Sequence, residues 1–585
     1  MYQIKRKLCK NEPSNKKIKN ILNKKRKLIT CIEDFSNELF YEIFDYFDAF
    51  ELYETFSNLN IRFQYLLDSN IVRLKINFSS LILSDFGYRF INIIYSNRQR
   101  IVSLSLFDTS ITNAFFSWII LDLSFHRLEY LFIFGLNSYK LLPFLLSLII
   151  LPRLFSLTIY IDENIGDLSE AYRIIFSLPV LKYNKLSFEI DETYVPLSIV
   201  THYDFSYLQY LILDHSCTLY VLTSMLSCTP QLYYLYCGFL HESNQCIQND
   251  IKITLSNLIS ITIGRCYVQF DEFEIFIRKI SSQLQILRIT TSNDTAYLDG
   301  DRWEQLFTEY IPNLRKFEFK HHEFIEDNFE FTIHHALIHR FTSSFWIKRH
   351  WFIELIIDIL DWSGIEIIYS IHPYRKYWYE LNEFEKNYSY SIQQSQSIVF
   401  TILDRFYIDW KDFFISDFSP IFNTLKITHL VMECQNIFIG TLIELLQFLP
   451  NLDSLKICSL SLVKPRCLYK EEVEILHSIS KNNKITKVNI ERTSELAEVQ
   501  FLIDLCPHMQ YFEVNNFKQI DFNLFVRFIL MKISRSIPHL CTLCICITES
   551  KNITIKNLQH MINFEKLLYD YTITCIHDKI YIQIK

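Results

Sequence analysis

Six prolines each stand two residues ahead of an apolar side chain: Pro152/Leu154, Pro230/Leu232, Pro312/Leu314, Pro450/Leu452, Pro507/Met509 and Pro538/Leu540. Proline cannot continue a helix, and it biases the residue before it toward extended geometry. Each pair therefore marks where a helix stops, the chain turns and a short strand begins. The strand follows an apolar-x-x-apolar-x-apolar unit, as in Leu128-Glu-Tyr-Leu131-Phe-Ile133. Half of the 585 residues are apolar, so that unit alone recurs by chance; its spacing carries the argument. The middle positions fall at Leu104, Leu131, Leu157, Leu186, Leu211, Leu235, Ile261, Leu287 and Phe317, in steps of 24 to 30. Middle and last apolar residues are two apart, so they share one side of a strand. Stacked units bury a continuous stripe that a lone unit leaves wet. The pattern weakens between 160 and 200, where Pro179 stands four ahead of Tyr183 and DETYVPLS reads as a loop. It lapses after Phe319 and returns at Leu430, Leu455, Val488, Phe512 and Leu543.

The interruption holds five of the seven tryptophans: Trp346, Trp351, Trp362, Trp378 and Trp410. Within it FIELIIDIL and GIEIIYSI, either side of Asp361-Trp362-Ser363-Gly364, read as a β-hairpin, and Asn387–Ser397 as a polar loop. Its rings suit a seam between two repeat blocks or a recognition element; large aromatics more often fill cores, which favours the seam.

Upstream, Asp34 to Leu67 reads as three short helices. Ser36 or Asn37 can cap the first, with Glu38 in its first turn. Leu39, Ile43 and Phe47 recur four apart beside Phe40 and Phe44, giving a wide apolar face. Asp48 can cap a second helix carrying Leu52, Tyr53 and Phe56; Leu59, Phe63, Leu66 and Leu67 face a third. So much apolar surface exceeds what three short helices bury among themselves, so a partner is required, either the rest of the chain or another protein. The stretch resembles the F-box, the module by which substrate receptors dock onto the adaptor of cullin–RING (SCF-type) ubiquitin ligases. The residues that carry the likeness are Phe35-Ser36-Asn37-Glu38-Leu39, Ile43-Phe44, Phe47-Asp48, Leu52, Phe56 and Arg62-Phe63; the family's Pro and Trp are absent. By that resemblance Phe35, Leu39, Ile43, Phe44, Phe47, Leu52, Phe56 and Phe63 are the adaptor-binding residues. The following units resemble the leucine-rich repeats found behind many F-boxes.

The first 27 residues carry eleven Lys/Arg against Glu12, a net of +10, leaving −17 on the remainder of a chain whose total is −7. With few large apolar side chains this tail should be disordered. Lys24-Lys25-Arg26-Lys27 fits a nuclear-import signal; nucleic-acid contact is the second reading, weakened by the acidic remainder of the chain, and a merely solubilising tail is the third. Eight scattered glycines exclude phosphate-cradling loops and a nucleophile elbow. Fifteen scattered cysteines without a leader suggest free thiols in the cytoplasm or nucleus. Leu141–Leu151 is apolar but eleven residues long and holds Pro143, too short for a bilayer span, so it reads as a buried helix and no membrane partner is expected.

Metal and catalytic candidates are thin. His321, His322, His334, His335, His339 and His350 cluster locally without an HExxH. Cys541, Cys544 and Cys546 resemble half a zinc site, but Leu543 and Ile545 are repeat positions, which puts Cys544 and Cys546 on the opposite strand face. Neither metal nor cofactor is expected. Residues alternating with the buried ones would line a concave face: Tyr130, Phe132, Phe134, Ser156, Thr158, Tyr160, Tyr210, Ile212, Asp214, Tyr234 and Tyr236, then Arg288, Lys316, Glu318 and Lys320. Tyr130, Phe132, Tyr160, Tyr210, Tyr234 and Tyr236 are the candidate contacts for a protein substrate.

The expected fold is α/β: a leucine-rich-repeat-like horseshoe solenoid preceded by a small all-α, three-helix F-box. Its parts are a basic tail (1–30), a helical module (31–75), a first repeat block (76–320), an irregular Trp-rich insert (321–424) and a second block (425–585). The resemblance implies a non-enzymatic receptor that holds an unidentified protein target on the adaptor and cullin complex. The alternative is a repeat scaffold without a ligase.

Overall fold

The structure is a computed structural model, and it describes residues 32–78, 88–161, 163, 168–188, 206–243, 255–280, 283–325, 335–360, 364–372, 398–404, 427–433, 437–461, 470–517, 521–533, 535–546, 551–576 and 578–584. The basic tail with Lys24, Lys25, Arg26 and Lys27, the DETYVPLS segment, the polar loop 387–397 and Trp362, Trp378 and Trp410 lie outside them. The protein is mixed α/β, and two compact units divide it: Met1–Leu136 with Ser147–Ile159, and Asn137–Leu146 with Tyr160–Lys585.

The first unit opens with the three helices expected from sequence: α1 (Asn37–Phe44), α2 (Ala49–Phe56) and α3 (Ile61–Asp68). Each starts at a side-chain cap. Ser36 accepts from the Leu39 N–H, Asp48 from Glu51 and Asn60 from Phe63, satisfying donors that a helix start leaves free. Their interior is aromatic. Phe40 lies 4.8 Å from Phe63 by ring centroids, Phe44 5.0 Å from Phe56, and Phe56 5.4 Å from Phe63. Strands β1 (Leu74–Phe78), β2 (Ile101–Leu106) and β3 (Tyr130–Phe134) follow, paired in parallel. Ile76, Leu104 and Leu131 stand in one row and Phe78, Leu106 and Ile133 in the next, all buried. Gly135 after β3 has φ +71°, and a Cβ there would run into Thr109, so only glycine serves.

In the second unit parallel strands succeed one another through Tyr183–Phe188, Tyr210–Thr218, Tyr234–His241, Ser260–Cys266, Ile286–Ser292 and Lys316–Ile325. A second parallel run joins Ile427–Met432, Ser454–Ile457, Lys487–Thr493, Tyr511–Phe517 and Thr542–Cys546. The expected register holds in both. Leu211, Leu235, Ile261, Leu287 and Phe317 align across neighbouring strands, as do Leu430, Leu455, Val488, Phe512 and Leu543. One backbone brace recurs at the turns into several strands. The carbonyl of Gln209 accepts from both Tyr233 and Tyr234, that of Tyr233 from Ile259 and Ser260, and that of Thr486 from Gln510 and Tyr511. All six marker prolines sit in the turns that precede strands.

Three expectations need correction. The segment expected to be irregular carries the sheet through it: Gly364–Ile371 pairs antiparallel with both Lys316–Ile325 and Ile353–Leu360, and the latter pairs in parallel with Ile398–Asp404. The anticipated hairpin is the splice between the two parallel runs, and Trp346 and Trp351 are buried beside Phe307 and Phe317. Second, Leu141–Leu148 is not buried throughout. Leu145 and Leu148 are inside while Leu142 and Leu146 are exposed, because a helix of one core-facing stripe needs only every third or fourth residue apolar. Third, Leu186 pairs with Leu213, and the partner of Leu211 is Asn184. Among the described residues no helix is long and apolar enough to cross a membrane.

Candidate functional site

The residues singled out from sequence form two sets: those of the helical module, in the first unit, and the tyrosine stripe, which has members in both. On the helical module the eight adaptor-contact candidates divide by burial. Phe44, Leu52, Phe56 and Phe63 are interior and shape the module; Phe35 and Leu39 are exposed, and Ile43 and Phe47 are half-buried. Leu39 and Ile43 are one helical turn apart and share a face. Tyr46 (90% exposed), Ile61 (73%) and Tyr65 (77%) are further exposed large side chains of the module, absent from the residues expected to contact the adaptor. The signal was present in α3: Ile61 and Tyr65 are four apart, off the stripe made by Phe63, Leu66 and Leu67.

Arg62 fixes how the chain enters α1. Its guanidinium donates to the carbonyls of Glu33 (2.6 Å) and Phe35 (2.7 Å) and to Asn37 Oδ1 (2.7 Å). Phe35 is thereby held by a charge-assisted clamp on its backbone, with its ring 6.1 Å from that of Phe40. The free N–H groups of the helix start, then Ser36, hold the Glu38 carboxyl below its ordinary range.

The module is closed on its other side by its own unit. Phe50 of α2 meets Phe78 of β1 at 5.3 Å between centroids, and Lys75 Nζ donates to the Asp45 carbonyl at 2.5 Å. Arg100, buried, bonds the Leu67 carbonyl at the end of α3 and Asn97 Oδ1 at 2.8 Å.

The tyrosine stripe falls in both units, with Tyr130 and Phe132 in the first and Tyr160, Tyr210, Tyr234 and Tyr236 in the second. Tyr130 is exposed, and Phe132 lies 4.4 Å from the ring of Phe107. In the second unit Tyr183, Tyr210 and Tyr234 occupy one row across three strands, a row that includes Tyr183, unforeseen because its strand was framed two residues out of step. Beside them Lys185 Nζ lies 3.3 Å from Asp214 Oδ2 and 4.8 Å from the Tyr160 ring centroid, and Ser187 Oγ donates to Asp214 Oδ2 at 3.0 Å. Burial pulls the Lys185 amine down, but Tyr160 and Asp214 together raise it above its ordinary range, so the cation is fixed. Burial pushes the phenols of Tyr183 and Tyr236 up. Such a face offers aromatic area, phenol hydroxyls and one ion pair. Beneath it the Cys217 thiol is pushed up to about 12 by burial and is no nucleophile at neutral pH.

Of the histidines expected to cluster, His334 lies outside the described residues, and His321 and His322 take separate partners. His321 is buried against Thr291 Oγ1 at 2.8 Å, and His322 Nδ1 meets Glu366 at 2.8 Å. Cys544 and Cys546 do alternate with Leu543 and Ile545, yet Cys544 is fully buried. Among the described residues no group of three His, Cys, Asp or Glu side chains is arranged to hold a metal. In comparisons with known proteins, no family model and no curated sequence matches the chain.

Proposed function

We propose that the chain is a substrate-recognition subunit of a cullin–RING ubiquitin ligase, docking its adaptor through an F-box-like module and holding a protein target on leucine-rich-repeat-like strands. One observation carries the reading: a module with a closed aromatic interior keeps Phe35, Leu39, Ile43 and Phe47 at or near its surface. Leu39 and Ile43 share one helix face, with Phe35 just ahead of the helix, and apolar side chains left open to solvent are a surface that a partner can cover. The in-register parallel strands, with aromatic and charged residues on the face away from the core, support a repeat architecture of the leucine-rich kind. The chemistry supplied is proximity, raising the effective concentration of a target lysine near a thioester on another subunit. Lys24–Lys27 would direct the chain to the nucleus, where such a receptor can act as well as in the cytoplasm.

The second reading, a repeat scaffold without a ligase, draws on the Phe50–Phe78 and Lys75–Asp45 contacts, which already cover one side of the module. Co-purification with the adaptor separates the two. The receptor reading expects association for the wild type and its loss in the Leu39→Asp, Ile43→Asp double variant. No association, or association indifferent to both substitutions, leaves the scaffold.

A further inference from the structure

At the edge of the second unit where the strands Tyr210–Thr218, Tyr234–His241, Ser260–Cys266 and Ile286–Ser292 begin, the chain forms a cleft of about 310 Å³. We propose that it binds a short, uncharged oligosaccharide. The inference goes beyond the ligase reading and does not depend on it.

The argument starts from the lining. Five primary amides, Gln209, Gln231, Asn257, Gln283 and Gln285, converge on it, together with the rings of Tyr210 and Tyr233. Among the described residues no carboxylate, ammonium or guanidinium lines it. A phosphate, a carboxylate or a cation would forfeit its hydration there without a counter-charge, so ionic ligands are disfavoured. A primary amide has two N–H donors and a carbonyl acceptor, and Gln209, Gln231, Asn257 and Gln285 bring that chemistry to the cleft. Ligand groups that both donate and accept use that capacity fully, and hydroxyls are such groups.

The rings supply the second half. Tyr210 and Tyr233 are both exposed, with centroids 5.8 Å apart and planes inclined at 48°. Angled aromatic faces give an apolar floor for the C–H face of a sugar ring, while the amides at its rim reach the hydroxyls.

An extended peptide is the competing occupant, and the backbone argues against it. Peptide capture at a sheet edge relies on free main-chain groups. Here the carbonyls of Gln209, Tyr233 and Ile259 each accept two N–H bonds from the next turn, at 2.7 to 3.2 Å. What the cleft has to give is side-chain amides and rings. The backbone brace also fixes the spacing of the positions that carry these side chains.

The test uses the full chain and saturation-transfer NMR with cellotriose, maltotriose, chitotriose and mannotriose, beside a heparin disaccharide and a Gln/Ser-rich peptide. At least one neutral trisaccharide should bind saturably. Tyr233→Ala and Gln285→Ala should each weaken it about tenfold, with an unchanged melting temperature showing that the fold persists. The proposal is overturned if none of the four binds, if both variants bind like the wild type, or if the charged sugar or the peptide binds more tightly. Adaptor association is not measured, so failure here leaves the ligase reading untouched.

Discussion

Tyr172 donates its phenol hydrogen to Nε2 of His215 across 2.5 Å, with both side chains fully buried. The other ring nitrogen fixes the tautomer: Nδ1 lies 2.9 Å from the Ser216 carbonyl, which can only accept, so Nδ1 carries the proton and Nε2 the lone pair. A second proton on His215 would make Nε2 a donor and oblige the Tyr172 hydroxyl to turn its hydrogen elsewhere in a buried site. Burial pushes the imidazole down from 6.5 to about 4, against the opposing pull of the Ser216 carbonyl and Asp214. The depressed value means that the folded chain refuses a proton which the unfolded chain takes up. Stability is therefore unaffected above pH 6.5 and falls as the pH drops from 6.5 toward 4, by up to about 3 kcal/mol. Urea midpoints at pH 7 and pH 5 should differ in the wild type, and the difference should shrink in His215→Gln, which has no proton to gain in that window.

The two classes of residue on the helical module should separate in stability. Leu39 is exposed and Phe44 is buried against Phe56. Leu39→Asp should change the unfolding free energy by no more than about 0.5 kcal/mol, whereas Phe44→Ala should lose about 3 to 5 kcal/mol by opening a cavity. Equal losses would mean that Leu39 is packed and is no docking residue.

Most of the strand register was legible because proline and apolar spacing report the same boundary twice. The failure at Leu186 shows what defeats that reading. The true unit is Leu181-Lys-Tyr-Asn184-Lys-Leu186, with Pro179 two residues ahead of Leu181 just as in the other six. A polar residue occupies its middle position, so a search for apolar residues framed the strand at Tyr183 and Leu186 instead. The module's surface was harder still. Leu39 and Phe44 are equally apolar in sequence, and only the positions of α2 and α3 decide which is covered. The hairpin Ile353–Leu360 with Gly364–Ile371 was visible from its turn, but its role in splicing two parallel runs depends on long-range pairing that periodicity does not encode.

That misplaced asparagine is itself testable. Asn184 is fully buried in the row of Leu211, and neither its Oδ1 nor its Nδ2 has a hydrogen-bond partner among the described residues. Burying an unpaired amide costs about 1 to 3 kcal/mol. Asn184→Leu restores the repeat's own residue and should raise the thermal midpoint; a lower one would show that the amide has a use which the packing does not reveal.

The end of the second unit rests on one buried carboxylate. Glu513 is 2% exposed; Lys579 Nζ reaches its Oε1 at 2.5 Å, and the Tyr511 hydroxyl donates to Oε2 at 2.9 Å. Lys579 belongs to the strand Lys579–Ile584, which pairs antiparallel with Thr542–Cys546, so the ion pair reaches over that strand to its far neighbour. Removing the cation leaves a charge with one neutral donor in a place that water does not reach. Losing one partner of a fully buried pair costs about 3 to 5 kcal/mol; Lys579 keeps part of its hydration, so Lys579→Met should lose about 2 kcal/mol. Glu513→Gln combined with Lys579→Met removes both charges and should recover part of that loss. A double-mutant cycle on denaturant midpoints reads the difference. If the two losses simply add, the pair is not coupled, and the terminal strand is held by its backbone ladder and the buried Ile580 and Ile582 alone.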